Sequence, residues 1–142
     1  MKNKIGISEI SVEIPEYFIG KEKIAKVQNL SLDYVEKGIG VKQSRISYKT
    51  SLEDLIFKAI KKVNYKDVGR FIVASESDDD LSKASIAIRS INEKLKLTTV
   101  PFQLKFACLA GVQALLVACD YVASHHQPAI VIAADRSFYK EK

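Results

Sequence analysis

Two side chains in this sequence have the type and placement from which covalent chemistry is done: Cys108 and Glu76. Cys108 stands near the start of LKFACLAGVQALLVACDYV (residues 104–122), the most apolar stretch of the chain. At the start of a helix, unpaired N–H groups and the positive end of the helix dipole stabilise a thiolate, the nucleophilic form of cysteine. Such a sulfur is suited to accept an acyl group. The competing reading is that Cys108 is one more small buried hydrophobe, since free cysteine is among the most buried residue types. Glu76 follows FIVAS directly, at the carboxyl end of a predicted strand, where open α/β sheets bind their ligands. A partly desolvated carboxylate there suits acid/base work; the competing reading is a residue that only opens a polar loop or caps the next helix. Asp135, closing AIVIAAD, reads equally well as a cap or a site residue.

The elements that must position these groups alternate along the chain. Residues 5–14 alternate apolar and polar side chains, which predicts a half-buried strand stopped by Pro15. A short helix follows over 21–29, then another turn over 32–37 before Gly38-Ile39-Gly40, then an irregular strand over 41–48. Thr50 and Glu53 form a capping-box pattern opening a helix with Leu52, Leu55, Ile56, Ala59, Ile60 and Val63 on one face. FIVAS (71–75) is a buried strand, and Asp78-Asp79-Asp80 places negative charge ahead of a helix over 81–95. A short strand over 102–106, a helix over 108–124 and a fully buried strand over 129–134 complete the order. Strands alternating with helices predict an α/β layered domain, its sheet covered on both sides. The 108–124 helix is apolar on nearly every face and is expected in the middle of the protein, with 130–133 in the middle of the sheet. Gly111 on that helix would let another backbone approach closely.

Composition bounds the function classes. The chain has 142 residues, 47% apolar and 27% charged, enough for one domain with a real core. Its net charge is +5, yet the lysines are interleaved with acids, as in Lys21-Glu22-Lys23. This is a solvated surface, or at most one that meets an anionic small molecule, and no basic run points to nucleic acid. The start, Met1-Lys2-Asn3-Lys4, carries no signal-peptide pattern. The longest apolar run is broken by Gln113 and Asp120, so no membrane span is expected. Cys108 and Cys119 lie eleven residues apart on one predicted helix, about 16 Å along its axis, too far for a disulfide. A reducing cytoplasmic location fits them. His125-His126, next to Pro128, read as a surface pair beyond a helix end, with no cluster around them to hold a metal.

Taken together, IVASES with Glu76, FACLAGVQAL with Cys108, and AIVIAADRSFY (129–139) resemble the amino-terminal part of hydroxymethylglutaryl-CoA synthases, members of the thiolase superfamily. The opening segment with Pro15 and KGIGVKQSR (37–45) are similar to that family's first segments as well. The resemblance covers essentially the whole chain but only the first third to two-fifths of the family's length. Type III ketoacyl synthases share a similar cysteine helix; the glutamate 32 residues upstream of Cys108 is the feature that favours the synthases. Phe106 departs from the pattern, since many of these synthases carry a polar residue there.

The resemblance implies a single thiolase-like half-domain over residues 1–142, a mixed sheet with helices on both faces and a buried nucleophile helix. It implies an acyltransferase of the mevalonate route to isoprenoids in which Cys108 accepts acetyl from acetyl-CoA. Glu76 then removes a methyl proton, and the carbanion attacks acetoacetyl-CoA. The partners implied are coenzyme A thioesters, both substrates, with no resident cofactor or metal and no nucleic acid or membrane. A histidine from the family's second half has no counterpart here, since His125 and His126 follow the nucleophile helix. A second chain supplying the missing carboxyl-terminal half, or a homo-oligomer, is therefore expected; the charged ending (138–142) reads as a natural terminus of a split enzyme, and a fragment is the alternative. Two further readings stay open: a type III ketoacyl synthase-like condensing enzyme, and a non-catalytic scaffold subunit of a thiolase-type complex.

Overall fold

The computed structural model describes residues 4–47, 49–76, 81–99 and 101–135. The run 78–80, Tyr48 and the segment 136–142 with Tyr139 lie outside them. In chain order the elements are strand β1 (Phe18–Gly20), helix α1 (Lys21–Gln28), strand β2 (Gln43–Arg45), helix α2 (Leu52–Ile60), strand β3 (Arg70–Ala74), helix α3 (Leu81–Lys94), strand β4 (Pro101–Leu104), helix α4 (Ala110–His125) and strand β5 (Ala129–Ala133). They form two compact units, one from residues 14–51 and one from the segment up to Glu13 together with residues from Leu52 onward.

In the smaller unit β1 and β2 pair antiparallel, with Phe18 opposite Arg45. Arg45 lies 5.4 Å over the Phe18 ring and donates to the Glu16 carbonyl at 2.8 Å. Helix α1 ends at Asn29, whose left-handed backbone closes the last turn. A single π-turn, Tyr34–Gly38, seats Val35 at full burial, and the turn predicted over 32–37 is this element.

The larger unit holds the sheet. Its order is β4-β3-β5, all parallel, with Phe71 beside Pro101 on one flank and Ile130 on the other. Side chains alternate across a strand, so Phe71 and Val73 face one way and join Ile56, Ile60, Ile88 and Ile91 of α2 and α3 in the main core. Ile72 and Ala74 face the other way, onto Ala110, Ala114 and Ala118 of α4. Helices therefore cover both faces, as expected of an α/β layer. Alanines at i, i+4 and i+8 make a flat stripe that lets α4 lie close on the strands. Glu53, expected as a capping residue, instead has its carboxyl turned to α3, accepting from Ser90 at 2.9 Å and Lys94 at 2.6 Å.

Five expectations are corrected. Residues 4–14 form no ladder: Ile7, Ile10, Val12 and Ile14 are exposed. The segment is held to the end of α2 by Ser11 donating to the Ala59 carbonyl (2.8 Å) and Lys62 donating to the Val12 carbonyl (2.8 Å). Alternation supplies the pattern of a strand but not the partner, and no neighbouring strand exists among the described residues. Strand β5 is likewise at the sheet edge among those residues, with β3 central. Helix α4 is covered on one face only: Ala114 is fully buried, while Leu109, Val112 and Leu116 are more than half exposed. The described chain offers a sheet for the alanine stripe and nothing for the opposite, larger apolar face. Finally, 107–125 is long and apolar enough by length and composition to cross a bilayer, with a mean hydropathy of 1.6. Its seating along the sheet is that of a layer helix. Gly111 is not demanded by packing here, since an added Cβ would meet Ala133 at an ordinary 3.8 Å.

Candidate active site

Parallel strands bring their carboxyl ends to one edge of the sheet, and that edge carries the candidate chemistry. Strand β3 ends at Ala74, Ser75 follows fully buried, and Glu76 emerges exposed. Strand β4 ends at Leu104, and Phe106 leads through a 3₁₀ turn, Ala107–Leu109, into α4. The turn places Cys108 at the mouth of the helix. Its sulfur stands 3.5 Å from Glu76 Oε1, within hydrogen-bond reach of a thiol donor. Both predicted site residues are thus brought together across 32 residues of sequence, by the β3–β4 pairing and the return into α4.

The backbone before the sulfur is unusual. Ala107 has φ +43°, a left-handed conformation that costs an alanine energy and persists only where the surroundings impose it. Its carbonyl accepts from the Ala110 N–H, and Phe106 accepts from the Leu109 N–H at 3.1 Å, so the turn is tied at both ends. Phe106 itself is exposed, as is Cys108. The Ala110 N–H, the first of α4, is therefore spent inside the turn.

Asp135 belongs to the same edge. Ala134 continues the ladder by donating to the Ala74 carbonyl at 3.0 Å, and Asp135 Oδ1 then accepts from the Glu76 N–H at 2.7 Å and the Ser75 hydroxyl at 3.1 Å. Sequence reasoning left Asp135 open and passed over Ser75. The signal is the parallel register: once Ala74 is set beside Ala133, the residues that follow each must be neighbours. Strain at Ala107 had no sequence signal at all, because alanine is the residue least expected to mark it.

The three remaining thiol and imidazole candidates lie away from this edge. Cys119 is free and exposed on α4. His125 ends α4, its ring stacked on Tyr121 at 4.3 Å, and His126 is the left-handed cap. Among the described residues no three His, Cys, Asp or Glu side chains gather as a metal site. Two clefts, of about 280 and 500 Å³, are lined by residues near Tyr65 and Leu97 and near Asn92 and Gln103, not by Cys108 or Glu76.

No family model matches the chain. It is 27% identical over 96% of its length to the hydroxymethylglutaryl-CoA synthase of Caenorhabditis elegans, covering 32% of that protein. It is 31% identical over 94% of its length to that of Methanocella arvoryzae, covering 41%. Beta-ketoacyl-[acyl-carrier-protein] synthase III of Clostridium acetobutylicum is 25% identical over 94% of the chain, again with 43% of that protein covered. A solved structure of MvaS in complex with 3-hydroxy-3-methylglutaryl coenzyme A matches 99% of the chain and 36% of its own, with a TM-score of 0.82 at 22% identity. The chain spans about a third to two-fifths of the length of the curated relatives it matches. It carries the amino-terminal portion of the thiolase-like fold, and in sequence it corresponds to that portion of the hydroxymethylglutaryl-CoA synthases.

Proposed function

We propose that this chain provides the acyl-accepting half of a hydroxymethylglutaryl-CoA synthase. The observation that carries the reading is the 3.5 Å approach of Cys108 Sγ to Glu76 Oε1 at the mouth of α4. The coarser conclusion, a condensing acyltransferase of the thiolase superfamily, is common to the relatives of both kinds.

In this reading the Cys108 thiolate attacks the carbonyl carbon of acetyl-CoA, an S–C bond forms, and coenzyme A leaves with the proton lost by the thiol. The resulting thioester makes its methyl group acidic, and the Glu76 carboxylate is placed to take that proton. The enolate oxygen finds backbone N–H donors at the start of α4. The carbon nucleophile adds to the ketone of acetoacetyl-CoA, and water cleaves the Cys108 thioester to release hydroxymethylglutaryl-CoA. The exposed apolar face of α4 calls for cover. We propose that the remainder of the fold, on this polypeptide or a second one, covers it and brings the histidine that orients acetoacetyl-CoA.

The test is mass spectrometry of the chain after incubation with acetyl-CoA, alone and with candidate neighbours. An acetyl group on Cys108 that is absent in Cys108→Ala supports the reading. No adduct under either condition leaves the scaffold reading. Similarity to beta-ketoacyl-[acyl-carrier-protein] synthase III favours a second reading, a type III condensing enzyme; condensation with malonyl carriers and not with acetoacetyl-CoA would establish it in place of the first.

A further inference from the structure

We propose that Asp135 is the positioning residue of this site, holding Glu76 against Cys108 by gripping its backbone. The proposal rests on the reading of Cys108 and Glu76 as a working pair and adds to it the group that sets their distance. Glu76 follows the last residue of β3 and is exposed, so the strand's own ladder stops before it. Ser75 is anchored from both flanks: its N–H donates to the Leu104 carbonyl at 3.2 Å, and its hydroxyl to Asp135 at 3.1 Å. The bond at the Glu76 backbone is shorter still, 2.7 Å from its N–H to the same Asp135 oxygen. A carboxylate accepting from a backbone N–H makes a charge-assisted bond of roughly twice the strength of a neutral one.

One oxygen therefore ties together the end of β3, the start of the Glu76 loop and the end of β5. Asp135 acts on Cys108 through Glu76, whose backbone it holds. Ser75 is the buried half of the clamp and fixes which way the Asp135 carboxylate turns. The Cys108 thiol donates to the Glu76 carboxylate at 3.5 Å, and a thiol engaged in that bond is less free to attack a reagent, so the rate of Cys108 alkylation reports where the Glu76 carboxylate is.

The experiment uses the full chain with Cys119→Ser, which leaves Cys108 as the single thiol, and follows its alkylation by iodoacetamide at neutral pH. Glu76→Gln should raise the rate about threefold or more. Asp135→Ala should raise it by a similar factor, and the double variant should add nothing to Glu76→Gln. Asp135→Asn retains an acceptor oxygen and should stay within about twofold of the parent rate. Folding of each variant is checked by circular dichroism. Parent-like alkylation in Asp135→Ala, or additive effects in the double variant, would overturn the clamp, and so would an unchanged rate in Glu76→Gln. Because no acyl-CoA is used, failure of Cys108 to accept acetyl would count against the synthase reading and leave this result standing.

Discussion

At Cys108 and Glu76 two small groups are asked to do separable work, and substitution separates them. Glu76→Ala should leave acetylation of Cys108 largely intact and abolish condensation when the rest of the enzyme is present, whereas Cys108→Ala should remove both. Loss of a general base typically costs on the order of 10²–10⁴ in rate, read as product formed from acetyl-CoA and acetoacetyl-CoA. If Glu76→Ala blocked acetylation alone, Glu76 would belong to the first step and not the second. Ala107 offers an independent check. Its left-handed backbone is costly for a residue with a Cβ and natural for glycine. Ala107→Gly should therefore stabilise the fold by about 1 kcal/mol in urea unfolding, while slowing acetylation because the sulfur is less firmly held. The β-branched Ala107→Val should destabilise. What sequence could tell at this scale was residue type and position: a cysteine opening an apolar helix and a glutamate ending a strand. It could not tell distance, because that is decided by the register between strands whose paired residues are 30 and 59 apart in sequence.

Among the elements, the helices lie on the sheet by two different devices. On the α4 side, Ala114 is fully buried against Ile72 and Ala74. Ala114→Leu should overpack that layer and cost about 1–3 kcal/mol, seen as a lower urea midpoint with unchanged slope. On the other side, Glu53 joins α2 to α3 through Lys94 and Ser90. The hydrogen bond from Lys94, then that from Ser90, holds the Glu53 carboxyl below its usual range. A carboxyl depressed in the folded state stabilises above its unfolded pKa and loses that contribution as pH falls through the folded one. Acidification from neutral should thus lower the melting temperature, and Glu53→Gln should remove part of that dependence; an identical pH profile in the variant would exclude the role. The helices and the strands β3, β4 and β5 were legible from periodicity, since hydrophobic spacing is a local property. Residues 5–14 show its limit. Their alternation is a true record of a strand-like pattern, yet a strand also needs a partner, and pairing is not written in one segment.

For the molecule as a whole, the informative surface is the outer side of α4. Leu109, Val112, Leu116 and Cys119 are spaced three and four apart along it and all are exposed, the spacing by which one helix accepts another. The helix was expected at the centre because its sequence is apolar all round, but among the described residues only its alanine face has a sheet to lie on. Replacing Val112 and Leu116 by glutamate should leave stability within about 0.5 kcal/mol and reduce self-association of the purified chain by sedimentation. Under the proposed function it should also abolish binding of a carboxyl-terminal half supplied as a separate polypeptide. Equal association by parent and variant would mean that this face is not where cover is supplied.

The clamp from Asp135 to Glu76 spans 59 residues, and the approach of Glu76 to Cys108 spans 32. Closing loops of that length precedes any reward from the contacts they make. The reactive geometry can consequently not form early in folding: no local segment contains it, and under the proposed clamp it is completed only when β5 has docked beside β3. The reactivity of one thiol is then a clock for the whole sheet. In refolding from urea with a brief iodoacetamide pulse at successive times, Cys108 should reach its native rate only in the last phase, after helical signal has returned. A chain still lacking β5, as on a ribosome, would expose an unguarded cysteine in place of a site.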